Sequence, residues 1–316
     1  MGSRKARRSD DPSIVGALFI DKPAGMTSHD VVARVRRVLG VRRVGHAGTL
    51  DPMATGVLVI GVGPTTRLLG IVGAHDKEYT ATVRLGAATT TDDSEGEVIG
   101  VADPDTLASI SDSAIETAVG GFIGTIAQRP SAVSAVKIDG KRAYERVREG
   151  QDVELPERTV TVTAFEVLGI DRVPGFVDVQ VRVECSAGTY IRALARDLGV
   201  ALRVGGHLTA LRRTRSGGVR VAQCRSIDEV GLEALMTPAD FAQRELPSVA
   251  IDRQMVAKVR NGIQLDISAM DPPTKDESPI AVIGPDHDLV AVATVQGEQL
   301  SYLAVLPPVV GSADRE

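Results

Sequence analysis

The chain has 316 residues, of which 43% are hydrophobic and 24% are charged, a composition typical of a soluble globular protein. It excludes general disorder, and the length predicts about two domains. The two cysteines, Cys185 and Cys224, are too few for a disulfide framework and too far apart for a paired-cysteine zinc site. No apolar run approaches the roughly 18 residues of a membrane span, so we expect a cytoplasmic protein without membrane contact.

The net charge of −5 taken alone disfavours a nucleic-acid partner, but the charges are unevenly distributed. Residues 246–316 contain five basic and ten acidic side chains, which leaves the rest of the chain neutral. Within that neutral part, five arginines fall among the ten positions from Arg34 to Arg43. Local clusters decide where a polyanion binds. The arginines fit a solubilising helix face or a phosphate-binding ridge, and spacing leaves both open.

Three elements are predicted in the first 60 residues. Residues 17–20 form a short apolar strand that ends in a turn. A helix follows, with Thr27 or Ser28 as its N-cap and Gly40 at its end. Residues 57–60 are continuously apolar, as in a strand buried on both faces. The apolar stripe of the helix consists of Val31, Val32, Val35, Val38 and Leu39.

The later elements add strands more often than helices. Residues 79–85 and 177–183 alternate between apolar and polar side chains, which predicts half-buried strands. A helix is predicted from Tyr190, and short apolar runs at 281–283, 289–295 and 303–306 predict further strands. The apolar face of that helix consists of Ile191, Leu194, Ala195, Leu198 and Leu202. Because no steady strand–helix–strand rhythm appears, we predict an α+β fold with a mixed, mostly antiparallel sheet and flanking helices.

Two segments differ in composition from the rest of the chain. The first ten residues read as a solvated basic tail. Residues 129–155 are weakly hydrophobic and rich in Lys, Arg and Gly, as in an excursion from the sheet. A change in composition at residue 246 precedes the short apolar runs. We therefore predict a main domain over residues 12–245 and a small C-terminal β domain over residues 246–316.

Common cofactor and metal motifs are missing from the sequence. It contains no P-loop, no HExxH, no zinc-type spacing and no nucleophile elbow. Gly61 and Gly63 form a GxG without the third glycine of a dinucleotide site, and the five histidines include no i, i+4 pair. We expect neither a metal nor another cofactor.

Residues 45–56 combine glycines, a proline and a single carboxylate immediately before the buried strand. Gly45 and Gly48 would let the backbone approach a ligand closely. Pro52 biases Asp51 towards an extended conformation, which would fix the direction of its side chain. The pattern fits a loop that Asp51 caps locally or a site that presents one carboxylate, and spacing alone does not choose.

Residues 184–192 turn from a predicted strand through Gly188 into the predicted helix. Arg192 falls in the first helical turn, beside backbone N–H groups that already favour an anion. An arginine there could keep an aspartate ionised and aimed. It could equally form a purely structural ion pair.

At these residues the chain closely resembles the TruB family of bacterial tRNA pseudouridine-55 synthases. Six blocks occur in the family's order and span about residues 14–225. They lie at residues 21–28, 45–56, 77–86, 134–144, 188–192 and 207–213. Two positions depart from common family choices: Val133 stands where an aromatic residue is frequent, and Ala187 where lysine is frequent. These departures concern RNA contacts rather than the reaction.

The resemblance implies the pseudouridine synthase fold with a PUA-like C-terminal domain and an RNA-gripping thumb over about residues 125–155. It implies that one uridine in the T loop of tRNA is isomerised to pseudouridine without cofactor or metal. The base must be flipped out at a cost of a few kcal/mol, and aromatic stacking returns about 1–3 kcal/mol. We expect a monomer whose partner is the tRNA T stem-loop, with no protein partner.

The resemblance also implies the site residues. Asp51 is the essential catalytic residue, Arg192 pairs with it, and Tyr79 stacks on the flipped uracil. The further substrate-binding residues are His46, which enters the RNA loop, Tyr190 and Leu211, which line the base pocket, and Lys22 in the first matching block. Attack of Asp51 on C1′ of the ribose and removal of a sugar proton by Asp51 both remain open.

Two other functions compete with this prediction. A non-catalytic tRNA-binding or tRNA-folding module would explain the basic cluster, but it gives Asp51 and Arg192 no purpose. A small-molecule phosphate enzyme could use Gly61 and Gly63 as a cradle, but the chain lacks a Walker lysine and metal-binding carboxylates. Tritium release from 5-tritiated uridine in tRNA separates catalysis from binding alone.

Overall fold

The computed structural model describes residues 11–131, 137–138, 141–142, 155–267 and 277–308. The predicted basic tail and most of the predicted thumb, including the larger part of the block at 134–144, lie outside these residues.

Eighteen strands occur within the described part of the chain. They are β1 (Gly16–Lys22), β2 (Val44–Ala47), β3 (Thr55–Val62), β4 (Lys77–Leu85), β5 (Ala87–Thr89), β6 (Val98–Val101), β7 (Gly124–Gln128), β8 (Lys137–Ile138), β9 (Lys141–Arg142), β10 (Arg158–Val173), β11 (Phe176–Cys185), β12 (Gly206–Ser216), β13 (Val219–Arg220), β14 (Arg225–Ser226), β15 (Ser248–Ala250), β16 (Ile280–Ile283), β17 (Leu289–Gln296) and β18 (Gln299–Val305).

Seven α-helices accompany the strands in the same residues. They are α1 (Ser28–Leu39), α2 (Leu69–Gly73), α3 (Pro104–Ser109), α4 (Asp112–Gly120), α5 (Ile191–Ala201), α6 (Pro238–Glu245) and α7 (Arg253–Arg260). Short 3₁₀ segments cover Gly63–Leu68, Val221–Gln223, Ile227–Glu229 and Leu232–Ala234. None of the helices described here has both the length and the apolar character needed to cross a bilayer.

The chain forms two compact units, each assembled from segments that are distant in sequence. The first unit contains residues 1–50, 57–73 and 217–316, and the second contains residues 51–56 and 74–216. Strand β3 therefore contributes residues to both units. The predicted domain boundary after residue 245 falls within the first unit and remains a prediction.

The two ends of helix α1, in the first unit, are set by capping residues. Thr27 is the N-cap: its hydroxyl accepts from the Asp30 N–H at 3.1 Å, and the Asp30 carboxylate accepts from the Thr27 N–H at 2.9 Å. Gly40 ends the helix at φ +71°, a left-handed conformation that favours glycine. The predicted stripe is right except at Val38, which is 45% exposed because it lies at the edge of the apolar arc.

The strands of the first unit enclose its core. Strand β1 pairs in parallel with β14, and β2 pairs antiparallel with β3. Residues 57–60 of β3 are all buried, as predicted, and the buried stretch continues to residue 62. A four-stranded sheet runs β15-β16-β17-β18. It contains all three predicted C-terminal strands, although β18 begins at Gln299, four residues before the predicted start. Buried side chains from β1, β3, α6, β16 and β17 share one apolar cluster.

The second unit is built on strands β12-β4-β11-β10-β7, in which each neighbouring pair is antiparallel. The predicted alternation is confirmed: side chains along β4 and β11 are buried and half-buried in turn. Helix α5 packs against β12 and buries the predicted face except Leu202, which is only half-buried. The predicted α+β fold with a mostly antiparallel sheet and flanking helices is thus confirmed.

Candidate active site

The loop that carries Asp51 is held at its far end by strand β12. Thr55 and Gly56, the first residues of β3, pair in parallel with Arg212 and Arg213. Gly56 adopts φ +100°, and a Cβ at this position would lie 2.1 Å from the Arg213 carbonyl oxygen. Only glycine permits this close approach, so residue 56 fixes where the end of the loop lies against β12.

Asp51 and Arg192 form a two-point ion pair within the second unit. Arg192 Nε lies 2.9 Å from Asp51 Oδ2, and Arg192 Nη2 donates to Asp51 Oδ1 at 3.1 Å. The Arg192 side chain is 5% exposed, whereas that of Asp51 is 34% exposed. One hydrogen bond, from Nη2, and one close charge contact, from Nε, together orient the carboxylate. One side of the carboxylate remains accessible, and each oxygen keeps capacity to meet a substrate atom.

A second carboxylate faces the same guanidinium and was not identified from the sequence. Arg192 Nη1 donates to the Thr91 carbonyl at 2.9 Å and lies 3.4 Å from Asp93 Oδ2. The Asp93 side chain is 4% exposed. Buried charges need partners, so the positions of Arg192 and of both carboxylates depend on one another. In the sequence, residues 90–96 can be recognised only as a turn-forming run. Nothing in that run indicates that Asp93 faces Arg192.

The turn at residues 91–93 is itself tied to strand β12. The Leu208 N–H donates to the Asp92 carbonyl at 3.0 Å, and Asp93 forms a parallel bridge with Leu208. Asp93 Oδ1 accepts from the Glu95 N–H at 3.0 Å and from the Thr91 hydroxyl. The groups that face Arg192 are therefore fixed from within the turn and from the sheet.

Gln128 at the end of β7 holds the start of α5, the helix that carries Arg192. Its side chain is fully buried, donates to the Tyr190 carbonyl at 3.0 Å and accepts from the Tyr190 N–H at 2.8 Å. Tyr190 is half-buried, and the Arg158 guanidinium lies 5.6 Å from the centre of its ring. Sequence analysis missed Gln128, because nothing in the local pattern distinguishes it from any other strand-end glutamine.

Tyr79 and Leu211 lie on one face of the sheet. Tyr79 is opposite Arg213 in the β4–β12 register, and Leu211 is opposite Ala81. Because side chains two residues apart on a strand share a face, both point to the same side, and both are buried. Burial raises the pKa of the Tyr79 hydroxyl, while the adjacent Arg213, which hydrogen-bonds it, acts in the opposite direction.

Lys77 and Cys185 form a buried cross-strand pair two residues along β4 from Tyr79. Burial, reinforced by the charge of Arg213, lowers the pKa of Lys77 to about 8. Burial raises the pKa of the Cys185 thiol to about 11. The Lys77 ammonium also donates to the His75 carbonyl.

Lys22 and His46 belong to the first unit. Lys22 is fully buried, and its ammonium donates to the Pro23 and Met26 carbonyls at 2.9 and 2.6 Å. His46 lies on β2 opposite Ile60, and its half-buried ring meets the His29 ring edge-on at 5.4 Å between centres. Within the described ranges, no group of three or more His, Cys, Asp or Glu side chains is arranged to hold a metal ion.

Two protein-family profiles match adjoining parts of the chain. The profile described as "TruB family pseudouridylate synthase (N terminal domain)" matches residues 36–191. The profile described as "tRNA pseudouridylate synthase B C-terminal domain" matches residues 192–252. The first match contains Asp51, and the second begins at Arg192.

Curated relatives match over nearly the whole chain. A protein of Leifsonia xyli subsp. xyli named tRNA pseudouridine synthase B is 50% identical and covers 92% of this chain and 96% of its own length. A protein of Nocardia farcinica with the same name is 49% identical and covers 98% of each chain. This chain therefore belongs to the TruB family of pseudouridylate synthases.

Solved structures agree with the sequence relatives on the fold. A chain in the crystal structure of a Cbf5-Nop10-Gar1 complex superposes with a TM-score of 0.71 at 26% identity, over 97% of this chain and 93% of that chain. A chain in the archaeal box H/ACA sRNP Nop10-Cbf5 complex gives a TM-score of 0.68 at 26% identity, over 98% and 92%.

Proposed function

We propose that this enzyme isomerises uridine-55 in the T loop of tRNA to pseudouridine, with Asp51 as its catalytic residue. The observation that carries the proposal is the two-point contact between Asp51 and the buried Arg192, at 2.9 and 3.1 Å. Full-length relatives named tRNA pseudouridine synthase B support the substrate class.

Asp51 acts as a carboxylate in this proposal. Its two oxygens each face one nitrogen of Arg192, which sets the plane of the group. A nucleophile or base held in one orientation reacts faster because the cost of ordering it has already been met on folding. The same orientation serves attack on C1′ of the ribose and removal of a sugar proton.

Tyr79, Tyr190 and Leu211 receive the flipped uracil in this proposal. Tyr79 and Leu211 share one face of the sheet, and Tyr190 precedes the helix that carries Arg192. Aromatic rings stack on any base, so these residues offset the cost of extruding uridine from the loop.

His46 and Lys22 complete the proposed substrate-binding set by family resemblance. His46 enters the RNA loop, and the Lys22 ammonium orders the turn at residues 23–26 from inside. The proposal includes a PUA-like domain over residues 246–316, a thumb over about residues 125–155, no cofactor and no metal. It also places a monomer in the cytoplasm, with the tRNA T stem-loop as partner and no protein partner.

The experiment measures tritium release from a tRNA transcript that carries 5-tritiated uridine. We expect release by the unmodified protein and none from a transcript with cytidine at position 55. Asp51→Asn should bind the transcript normally and release no tritium, because a neutral amide of the same shape is a poor nucleophile and base. Asp178→Asn is the matched control, since Asp178 also pairs with an arginine, Arg84, at 2.6 Å.

Three results would contradict the proposal. Turnover by Asp51→Asn would reject Asp51 as the catalytic residue. Release from the cytidine-55 transcript would reject the assigned position. Tight tRNA binding without release by the unmodified protein would support the non-catalytic binding or folding module instead.

A further inference from the structure

Asp92 lies between Thr91 and Asp93, the two residues that face Arg192, yet it points elsewhere. Its carboxylate Oδ2 accepts from Ser131 Oγ at 2.6 Å and from Arg196 Nη1 at 3.2 Å. Ser131 is fully buried and Asp92 is 9% exposed. We call these three side chains, Asp92, Ser131 and Arg196, the Asp92 clamp.

The clamp holds a backbone conformation that is unfavourable on its own. Asp92 adopts φ +60°, in the left-handed region that non-glycine residues seldom occupy. Such conformations persist only where the surroundings determine them, and they cluster at functional sites. The Leu208 N–H also bonds to the Asp92 carbonyl at 3.0 Å. Backbone and side chain of Asp92 are therefore both held.

Arg196 links the clamp to two further elements. It lies one helical turn after Arg192 on α5, so Asp92 and its two neighbours are bonded to adjacent turns of one helix. Arg196 Nη2 donates to the Arg129 carbonyl at 2.8 Å, and its Nε donates to Asp197 Oδ1 at 2.8 Å. Arg129 and Ser131 belong to the range that the family resemblance assigns to the thumb.

We propose that Asp92 is a positioning residue for the isomerisation: through Ser131 and Arg196 it fixes the turn whose Thr91 carbonyl and Asp93 carboxylate orient Arg192, and thereby Asp51. The inference deepens the proposed function and rests on it. Asp92 makes no hydrogen bond to Asp51 or Arg192 within the described residues, although the Arg192 charge also acts on its carboxyl at a distance. The positioning effect that we propose passes through the turn.

The cost of burying Asp92 supports a role beyond filling space. Burial raises the pKa of this carboxyl, against the stabilising effect of Ser131 and of the Arg196 charge. A buried carboxylate with these partners contributes little net stability. Ser131 and Arg196 instead hold the turn in a single geometry. This geometry matters for the rate because small displacements near a reacting group can cost roughly a hundredfold in rate.

The test compares kcat and KM for tRNA in three variants of the full chain. Asp92→Gly removes the clamp but keeps the left-handed backbone at no steric cost. Ser131→Ala removes one partner, and Asp92→Asn keeps an acceptor for both partners and tolerates the same backbone. We expect kcat to fall about tenfold in Asp92→Gly and several-fold in Ser131→Ala, with KM within about twofold and Asp92→Asn near the unmodified enzyme.

Asp178→Ala is the control for a simple loss of stability. The two aspartates are similarly buried and similarly paired. The Asp178 side chain is 14% exposed and pairs with Arg84, and the Asp92 side chain is 13% exposed and pairs with Arg196. We expect this variant to lose stability and keep kcat. Unchanged kcat in folded Asp92→Gly, or an equal loss in Asp178→Ala, would overturn the inference.

A second measurement does not depend on activity. The ¹⁵N Nε–H resonance of Arg192, assigned from its loss in Arg192→Lys, should exchange faster with solvent in Ser131→Ala than in the unmodified protein. Unchanged exchange would overturn the positioning role. If the unmodified protein released no tritium, the proposed function would fail, while this exchange measurement would still decide whether the clamp holds Arg192.

Discussion

Arg192 shows how one buried residue organises several others. Its guanidinium meets the Asp51 carboxylate, the Asp93 carboxylate and the Thr91 carbonyl from a side chain that is 5% exposed. Removing one partner of a buried pair typically costs about 3–5 kcal/mol, because the other charge is left in a dry site. The residues at this site therefore constrain one another, and substitutions among them will not be additive.

Lys77 yields a prediction of pH-dependent stability. Its folded pKa of about 8 lies below the ordinary value of 10.5, so the unfolded chain binds more protons above pH 8. The free energy of unfolding should therefore rise with pH from about 8, with a slope approaching about 1.4 kcal/mol per pH unit. Above pH 9.0 the raised pKa of Cys185 opposes this rise, because the unfolded thiol then loses its proton first.

Urea unfolding between pH 8 and 9 measures this effect, with Lys77→Met compared to the unmodified protein. We expect the free energy of unfolding of the unmodified protein, minus that of Lys77→Met, to increase from pH 8 to pH 9. Lys258→Met, which removes an exposed lysine of α7, is the control. A flat difference for Lys77→Met, or the same increase for Lys258→Met, would contradict the prediction.

At the scale of elements, helix α5 begins without a capping side chain of its own. Tyr190 occupies the N-cap and offers no side-chain bond, and Gln128 from β7 binds the Tyr190 backbone instead. A helix start normally needs Ser, Thr, Asp or Asn at this position. The start of the helix that carries Arg192 is thus fixed by a neighbouring strand rather than by local sequence.

Gln128→Leu should lower the free energy of unfolding and reduce kcat. The substitution leaves the half-buried Tyr190 N–H without its partner, at about 1–3 kcal/mol, whereas the Tyr190 carbonyl keeps its bond from the Leu194 N–H at 3.2 Å. Urea denaturation and tritium release measure the two effects. Gln180→Leu is the matched control, because Gln180 bonds to Asp171 at an exposed site. Unaltered stability in Gln128→Leu would show that the reciprocal bonds are not needed.

At the scale of the whole molecule, the arginine-rich segment divides into two groups. Arg34, Arg36 and Arg43 each bond to another residue of the first unit. Arg37 and Arg42 are exposed, and their side chains make no hydrogen bond or ion pair among the residues that the structure describes. The side chains of Arg37 and Arg42 remain available for phosphates. The hypothesis of a phosphate-binding ridge therefore now concerns these two arginines.

The double variant Arg37→Gln/Arg42→Gln should weaken tRNA binding and make it less salt-dependent. Each lost phosphate contact reduces the slope of log K against log salt by about one. Filter binding at several salt concentrations measures the slope. Arg172→Gln, which removes a half-exposed arginine paired with Asp112, should leave it unchanged. An unaltered slope in the double variant would assign the segment to solubility alone.

The sequence by itself determined the local structure and the family. Capping and apolar spacing were sufficient for α1, and alternation was sufficient for β4 and β11, because these depend on neighbouring residues. Six short blocks identified the family and led to Asp51 and Arg192. Only the tertiary structure decided what surrounds them. Thr91, Asp93 and Gln128 reach the site through strand pairing and turns across long separations, and no local pattern records which distant residues a folded sheet brings together.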